Sequence, residues 1–133
     1  MSQFGDACLL LATTGTYTHW KLSKIMACIG YPITLNQCLI YYDGKMPIGL
    51  ITFAYVSDWA LDELMSGKRT IEKQDWQSGD NLFVPDLIAP HGNVRQMTKH
   101  FHKFVKGRHG EGFRCNWYRP ALKRTGYART RSD

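Results

Sequence analysis

The chain has 133 residues, of which 44% are hydrophobic and 21% are charged, a balance typical of one globular domain and not of a disordered chain. No apolar run approaches the roughly 20 residues of a membrane-spanning helix, and the first residues lack the basic start of a signal peptide. The sequence therefore predicts a cytoplasmic protein without a membrane span.

The net charge of +6 is unevenly distributed. Residues 1–94 contain 6 Lys/Arg and 9 Asp/Glu, a net charge of −3, whereas residues 95–133 contain 11 and 2, a net charge of +9. A basic part attached to a mildly acidic body predicts an anionic partner. Charge alone leaves open whether that partner is a nucleic acid, an acidic protein or a phosphate-bearing ligand.

Helical patterns occupy the first part of the chain. Residues 4–13 are apolar and precede Gly15, which favours a helix that ends there. Residues 20–29 alternate between polar and apolar side chains at helical spacing, and Gly30 and Pro32 are predicted to end this second helix.

The period then changes to that of strands. Residues 37–42 and 46–56 predict two strands joined by an Asp-Gly turn at residues 43–44, a strong hairpin signal. Residues 57–65 predict a short helix that begins at a capping Ser or Asp. Residues 70–80 are polar and predict a loop.

Strand and helix patterns continue to the C-terminus. Residues 82–88 predict a strand, and Asn93 is expected to cap a helix with an apolar stripe. The stripe consists of Val94, Met97, Phe101, Phe104 and Val105. Residues 113–118 predict a last strand, and residues 121–133 form a basic segment that is expected to be loose. The whole order predicts an α/β (α+β) fold with one domain over residues 1–120 and a mostly antiparallel central sheet flanked by helices.

The cysteine and histidine patterns argue against disulfides and against a metal site. Cys8, Cys28, Cys38 and Cys115 are scattered without a Cys-x-x-Cys pair, so free thiols are predicted. His100 and His102 lie two positions apart on a predicted helix, where their side chains diverge and cannot share a metal ion.

Asp86 is unusual because every other residue in the segment 82–89 is apolar. A carboxylate in such a segment is buried or half-buried and needs a partner or an altered pKa, which would suit catalysis. The alternative is an aspartate on the solvent face of an edge strand, for which the neighbouring Pro85 would be appropriate.

His19 lies at a predicted junction between a loop and a helix. A histidine that acts as a general base needs an acceptor to orient it, and a buried aspartate is the usual choice. A single histidine is more often a surface or structural residue, and the sequence does not show that His19 meets Asp86.

Several motifs together resemble the toxin-activating lysine acyltransferases, the family that fatty-acylates internal lysines of RTX protoxins. The segment 75–80, Asp-Trp-Gln-Ser-Gly-Asp, is similar to the family's D-W-x-S-G-D, and residues 86–92 are similar to its apolar strand with Asp followed by I-A-P-x-G. Near the N-terminus, Thr-Tyr-Thr-His at residues 16–19 resembles the family's S-x-x-H with threonine in place of serine. The resemblance covers roughly residues 9–105.

The resemblance implies a fold related to the GNAT acetyltransferases, an acyl-acyl carrier protein as donor and a lysine side chain of a target protein as acceptor. It implies no tightly bound cofactor, a homodimer, and His19 and Asp86 as the two catalytic residues. We hypothesise that His19 removes a proton from the lysine amine or first accepts the acyl group, while Asp86 orients it and stabilises its charged form. Thr16 would donate a hydrogen bond to the developing oxyanion.

The predicted helix over residues 94–106 carries a basic face that would suit docking of an acidic carrier protein. This face consists of Arg95, Lys99, His102, Lys103 and Lys106. An ordinary solvated helix face is the alternative. Two further functions remain open: a nucleic-acid-binding protein that uses the basic C-terminal part with Trp117, Tyr118 and Tyr127, and a non-catalytic relative that only binds an acyl carrier or a partner protein.

Overall fold

The computed structural model describes residues 2–119 and 124–131, apart from the side chains of Thr16, Arg119 and Arg124. Helix α1 (Gln3–Ala12) begins at Ser2, whose hydroxyl oxygen accepts the Gly5 N–H at 3.0 Å. Its inward face buries Ala7, Leu10 and Leu11. The first predicted helix is thus confirmed, and Gly15 starts a short 3-10 helix (Gly15–Tyr17).

The second predicted helix does not end at Gly30 and Pro32. It runs on as α2 (Leu22–Ile25), a π-helical turn (Met26–Gly30) and α3 (Tyr31–Thr34). In the π turn each N–H donates to the carbonyl five residues back, as the Tyr31 N–H does to the Met26 carbonyl. In the same pattern the donor to the Ala27 carbonyl would be the N–H of residue 32, but this residue is a proline and has no N–H. The indole N–H of Trp76 donates to Ala27 instead, at 3.2 Å. A tertiary contact therefore allows the helix to pass through residues that predict its end.

Within the described residues the strands form two sheets. They are β1 (Cys38–Asp43), β2 (Met46–Thr52), β3 (Ala54–Val56), β4 (Asn81–Val84), β5 (Leu87–Ile88), β6 (Arg114–Arg119) and β7 (Arg124–Arg129). The first sheet has the order β1-β2-β5 and the second β3-β4-β6-β7. Among these described strands, all neighbours pair antiparallel except β4 and β6, which are parallel. The predicted mixed α/β class with mostly antiparallel sheet is confirmed.

Within the described residues the chain passes between the two sheets three times, and two of these passages are short crossings that lie side by side. The predicted strands 46–56 and 82–88 are each divided in two, at Phe53 and at Pro85-Asp86. At the first crossing the Phe53 N–H donates to the Gln37 carbonyl at 2.9 Å. At the second crossing Pro85 has no N–H with which to continue a ladder. The single predicted central sheet is therefore two sheets.

The hairpin and the later helices lie where the sequence predicts them. Gly44 occupies the turn between β1 and β2 with φ of 59°. Helix α4 (Asp58–Met65) begins at Ser57, whose hydroxyl oxygen accepts the Ala60 N–H at 3.1 Å. Helix α5 (Val94–His109) starts after Asn93, but the Asn93 side chain makes no capping hydrogen bond.

Helix α5 packs on the sheets through part of its predicted stripe. Met97, Phe101 and Val105 are buried, whereas Val94 is 41% exposed. The predicted last strand is confirmed as β6, which pairs with β7. The segment predicted to be loose therefore contains a strand, while residues 120–123 and 132–133 lie outside the described part. No described helix combines the length and the apolar character needed to cross a bilayer.

Candidate active site

Asp86 lies at the second crossing, between β4 and β5. Its carboxyl Oδ1 accepts a hydrogen bond from the Tyr17 hydroxyl at 3.0 Å. Burial raises the pKa of Asp86 to about 6, while the Tyr17 hydrogen bond and the charge of Lys24 partly oppose this effect. The residue keeps some accessible surface, but its carboxyl lies against the helical layer and does not point outward from an edge strand. The predicted partner and the altered pKa are both present.

Two cysteine thiols flank this carboxyl group. Burial, with a further contribution from the charge of Asp86, raises the pKa of Cys28 to about 11 and that of Cys38 to about 12. Thiols with such pKa values stay protonated and are poor nucleophiles at neutral pH. All four cysteines are free, as predicted.

His19 is exposed and lies in a tight turn next to this site. The turn is closed by the Trp20 N–H, which donates to the Tyr17 carbonyl at 3.1 Å, and the Tyr17 and Trp20 rings meet edge to face at 4.8 Å. Among the described residues, His19 makes no hydrogen bond or ion pair. Asp86 is therefore joined to the His19 turn through Tyr17, and the structure shows no direct contact between the two predicted catalytic residues.

Tyr17 is the residue of this site that the sequence did not identify. It lies two positions before His19 and 69 before Asp86, and a tyrosine hydroxyl in a loop carries no signal of its partner. Burial and the neighbouring Asp86 raise the pKa of Tyr17 well above its usual value, so the phenol keeps its proton and donates. The Thr16 side chain lies outside the described residues, and its predicted oxyanion contact stays a prediction.

The segment 75–80 has a structural role. Trp76 is fully buried and holds the π turn, as described above. Asp75 is paired with Arg69, and the Ser78 hydroxyl donates to the Asp75 carbonyl at 2.8 Å and accepts the Ser57 N–H at 3.0 Å. A Cβ atom at Gly79 would lie 2.6 Å from the Ser57 Cα, so only glycine fits there. The contacts of this segment hold the crossing and the π turn in place.

The predicted docking face of α5 is only partly solvated. Arg95, Lys99 and Lys103 are exposed, whereas Lys106 is half-buried. His102 is also half-buried, and its Nε2 accepts the backbone N–H of Arg131 at 3.0 Å. His102 therefore helps to bind the C-terminal segment to α5.

No described group of three or more His, Cys, Asp or Glu side chains could hold a metal ion. His100 and His102 have different partners, since His100 Nδ1 lies 2.8 Å from the Tyr41 hydroxyl. The two histidines diverge as the helical spacing predicts.

Comparison with known proteins gives a consistent set of relatives. The lysine-acyltransferase RtxC of Vibrio cholerae is 39% identical over 102 residues, which cover 76% of this chain and 67% of that protein. An uncharacterised protein of Synechocystis is 28% identical over 111 residues, which cover 77% of this chain and 76% of that protein. The protein-lysine myristoyltransferase RtxC of Kingella kingae is 26% identical over 102 residues, which cover 77% of this chain and 61% of that protein. The chain thus spans about two thirds of the length of the two named acyltransferases.

The family model of the RTX toxin acyltransferases matches residues 1–116. The matched range includes the His19 turn, both crossings, Asp86 and helix α5. This confirms the family and the acyltransferase class of enzyme predicted from the motifs, and the chain belongs to the RTX toxin acyltransferase family.

Proposed function

We propose that this protein is a protein-lysine acyltransferase that moves a fatty acyl group from acyl-acyl carrier protein to an internal lysine of a target protein. The named relatives are lysine acyltransferases and one is a lysine myristoyltransferase, which supports this reaction and a fatty acyl donor. A target of the RTX protoxin type, a cytoplasmic location and a homodimer belong to the same proposal.

One observation carries the proposal for the site. Asp86 lies at the crossing between the sheets, and Tyr17 connects it to the exposed turn that presents His19. A half-buried carboxyl group with a raised pKa, linked through a tyrosine hydroxyl to the turn of an exposed histidine, is an arrangement suited to proton transfer.

The proposed chemistry begins with the lysine, whose pKa of about 10.4 keeps it protonated at neutral pH. The lysine ammonium first releases one proton to the solvent through His19. The neutral amine then attacks the thioester carbonyl, and His19 removes a second proton from the nitrogen of the tetrahedral adduct. The C–S bond breaks as the amide forms, and the protonated His19 gives this second proton to the leaving thiolate of the carrier protein. Near neutral pH Asp86 is mostly ionised, and the Tyr17 hydroxyl links its carboxylate to the turn that carries His19.

The basic face of α5 would bind the acidic carrier protein. Arg95, Lys99 and Lys103 are exposed there on an α-helix, which gives an anionic partner a surface of one sign. The double variant Lys99→Glu/Lys103→Glu should raise the KM for acyl-acyl carrier protein and flatten its salt dependence. Lys45→Glu, an exposed charge reversal in the β1–β2 hairpin, is the matched control. Equal KM values in both variants would exclude docking on this face.

The reaction is tested with purified protein, long-chain acyl-acyl carrier protein and either a lysine-containing protoxin fragment or cell lysate. Intact-mass and peptide mass spectrometry identify the modified lysine. His19→Ala should lower the rate at least ~100-fold, the usual contribution of a general base. Tyr17→Phe removes only the hydrogen bond to Asp86 and should cost about tenfold.

His91→Ala is the control, because His91 is an exposed histidine in the loop before α5. It should keep wild-type activity. If His19→Ala is folded by circular dichroism and transfers the acyl group at the wild-type rate, the role of His19 is excluded. If the wild type modifies no lysine with acyl-acyl carrier protein but does so with another thioester, the proposed donor is wrong.

A further inference from the structure

Thr52 is fully buried, and its hydroxyl has no hydrogen-bond partner among the described residues. A buried hydroxyl without a partner costs free energy, and natural proteins pair the large majority of such groups. A valine of the same shape would avoid this cost. The unpaired hydroxyl therefore needs an explanation, and its position next to the candidate active site provides one.

The strand register places Thr52 in a row of three chemically active side chains across the first sheet. Cys38 on β1 is the register partner of Thr52 on β2. On the other side Ile51 is opposite Leu87, and the Thr52 N–H donates to the Asp86 carbonyl at 3.0 Å. The next position opposite Thr52 is thus Asp86, so a thiol, a hydroxyl and a carboxyl group follow one another across the sheet.

These side chains share one face of the sheet. Cys38, Leu50 and Ile88 pack into the core under α1 and the π turn, whereas Ile51 packs into the core under α5. Because side chains alternate along a strand, Thr52 points to the same face as Leu50. The Asp86 carboxyl is also on this face, where it reaches Tyr17. Directly opposed residues have Cβ atoms about 4.5–5.5 Å apart, within range of a direct or water-mediated hydrogen bond.

One oxygen of the Asp86 carboxyl group is available to accept a further hydrogen bond. Tyr17 donates to Oδ1, and Oδ2 accepts no hydrogen bond from the described residues. We propose that Thr52 is a positioning residue whose hydroxyl donates to Asp86 Oδ2, directly or through one water, when Asp86 is ionised. Its effect on catalysis rests on the function proposed above, whereas the hydrogen bond itself does not.

The expected consequence is a pH effect with a defined sign. The titratable or charged groups that face Asp86 are Tyr17, Lys24, Cys28 and Cys38, and the raised pKa values of the phenol and the two thiols keep them protonated between pH 5 and pH 8. A donor to a carboxylate stabilises the ionised form, so removal of the Thr52 hydroxyl should raise the pKa of Asp86.

The test compares Thr52→Val, which removes the hydroxyl and keeps the shape, with Thr52→Ser, which keeps the hydroxyl. The Asp86 carboxyl is titrated by NMR in protein labelled at the aspartate ¹³Cγ. In Thr52→Val the pKa of Asp86 should rise by about one unit, and Thr52→Ser should stay close to wild type. The melting temperature of Thr52→Val should be equal to or above that of wild type at pH 5 and fall below it by pH 8.

The acyl transfer assay adds a readout that a purely structural role would not change. In Thr52→Val, kcat should fall by up to about tenfold below pH 6 and by less at pH 8, while the KM for the acyl donor should stay within about twofold. The pH at which kcat reaches half of its maximum should rise by about one unit. Thr52→Ser should restore both the rate and the profile.

Three results would overturn the inference. They are an unchanged Asp86 titration in Thr52→Val, a melting temperature above wild type at every pH, or a Thr52→Ser variant as impaired as Thr52→Val. The NMR titration needs no substrate, so it separates the two proposals. If the pKa of Asp86 rises as expected but wild type transfers no acyl group, the hydrogen bond stands and the proposed function fails.

Discussion

Asp86→Asn should make the protein more stable and less active at neutral pH. Asparagine has the shape of aspartate and can still accept the Tyr17 hydrogen bond through its side-chain oxygen, but it cannot ionise. The substitution therefore removes the charge from a site where burial opposes charge. A comparison of Asp86→Asn with wild type therefore shows what the negative charge of Asp86 contributes, because the packing of the side chain is kept.

The magnitude follows from the pKa of Asp86, which burial raises from 3.8 to about 6. Asp86 binds its proton more tightly in the folded state than in the unfolded state, so protonation stabilises the folded state. This contribution to the free energy of unfolding is complete below pH 4. The advantage is lost as the pH rises through about 6 and is absent above pH 7. A pKa difference of this size corresponds to roughly 3 kcal/mol as an upper bound. Asp86→Asn should thus match wild type near pH 4 and exceed its free energy of unfolding by up to about 3 kcal/mol at pH 8.

Urea unfolding at pH 4, 5, 6, 7 and 8, followed by tryptophan fluorescence, measures the difference at each pH. Asp80→Asn, at an exposed carboxyl group, is the control and should change the free energy of unfolding by less than about 0.5 kcal/mol. Acyl transfer by Asp86→Asn should fall at least ~100-fold at pH 8. A variant that is destabilised by the same amount at every pH would show that the ionised carboxylate is not penalised by burial, and the reasoning would fail.

Two packing predictions concern the segment before β4. Trp76→Phe leaves the Ala27 carbonyl of the π turn unpaired and opens a cavity, so the free energy of unfolding in urea titrations should fall by about 2–4 kcal/mol. The control Trp59→Phe, at a 67% exposed site, should lower it by less than about 1 kcal/mol. Equal losses would contradict the role of the indole N–H. Gly79→Ala pushes a methyl group into the Ser57 backbone and should lower the melting temperature, while Gly107→Ala, in an open position on α5, should raise it by a few degrees. A Gly79→Ala variant as stable as wild type would show that this contact is not tight.

The sequence predicts the elements whose cause is local. Helix α4 begins at Ser57 because a serine hydroxyl can accept the N–H of the first turn. The β1–β2 turn lies at Gly44 because a left-handed backbone there favours glycine. Helix α5 follows its apolar period, which its own side chains specify.

The elements that the sequence missed have causes elsewhere in the chain. Nothing near Pro32 shows that the helix continues, because the donor that satisfies the π turn comes from Trp76. Nothing near Phe53 shows that the strand changes sheets, because the Gln37 side chain holds the crossing by donating to the Phe53 and Trp76 carbonyls, at 2.9 Å each. Long-range hydrogen bonds of this kind leave no periodic pattern.

The same distinction applies to the candidate site. Asp86 could be identified from the sequence because an apolar segment is expected to be buried, and burial of a single charge within it is unfavourable without a partner. Tyr17 and Thr52 could not, since a tyrosine near a histidine and a threonine in a strand agree with their local context. Only the fold shows that Tyr17 donates to the Asp86 carboxyl and that Thr52 lies opposite Asp86 across the strand pair.

The segments 75–80 and 86–92, which carry two of the family's motifs, are therefore connected through the sheet crossings. Trp76 and Gln37 hold the break at Phe53, and this break is what leaves Thr52 at the end of β2, opposite Asp86. If the strand continued through Phe53, the neighbouring strands β4 and β5 would continue in one ladder as well, and Asp86 would no longer lie at a crossing between two sheets. Substitutions in the segment 75–80 should thus reduce activity by displacing Asp86, even though no described side chain of this segment donates a hydrogen bond to the carboxyl.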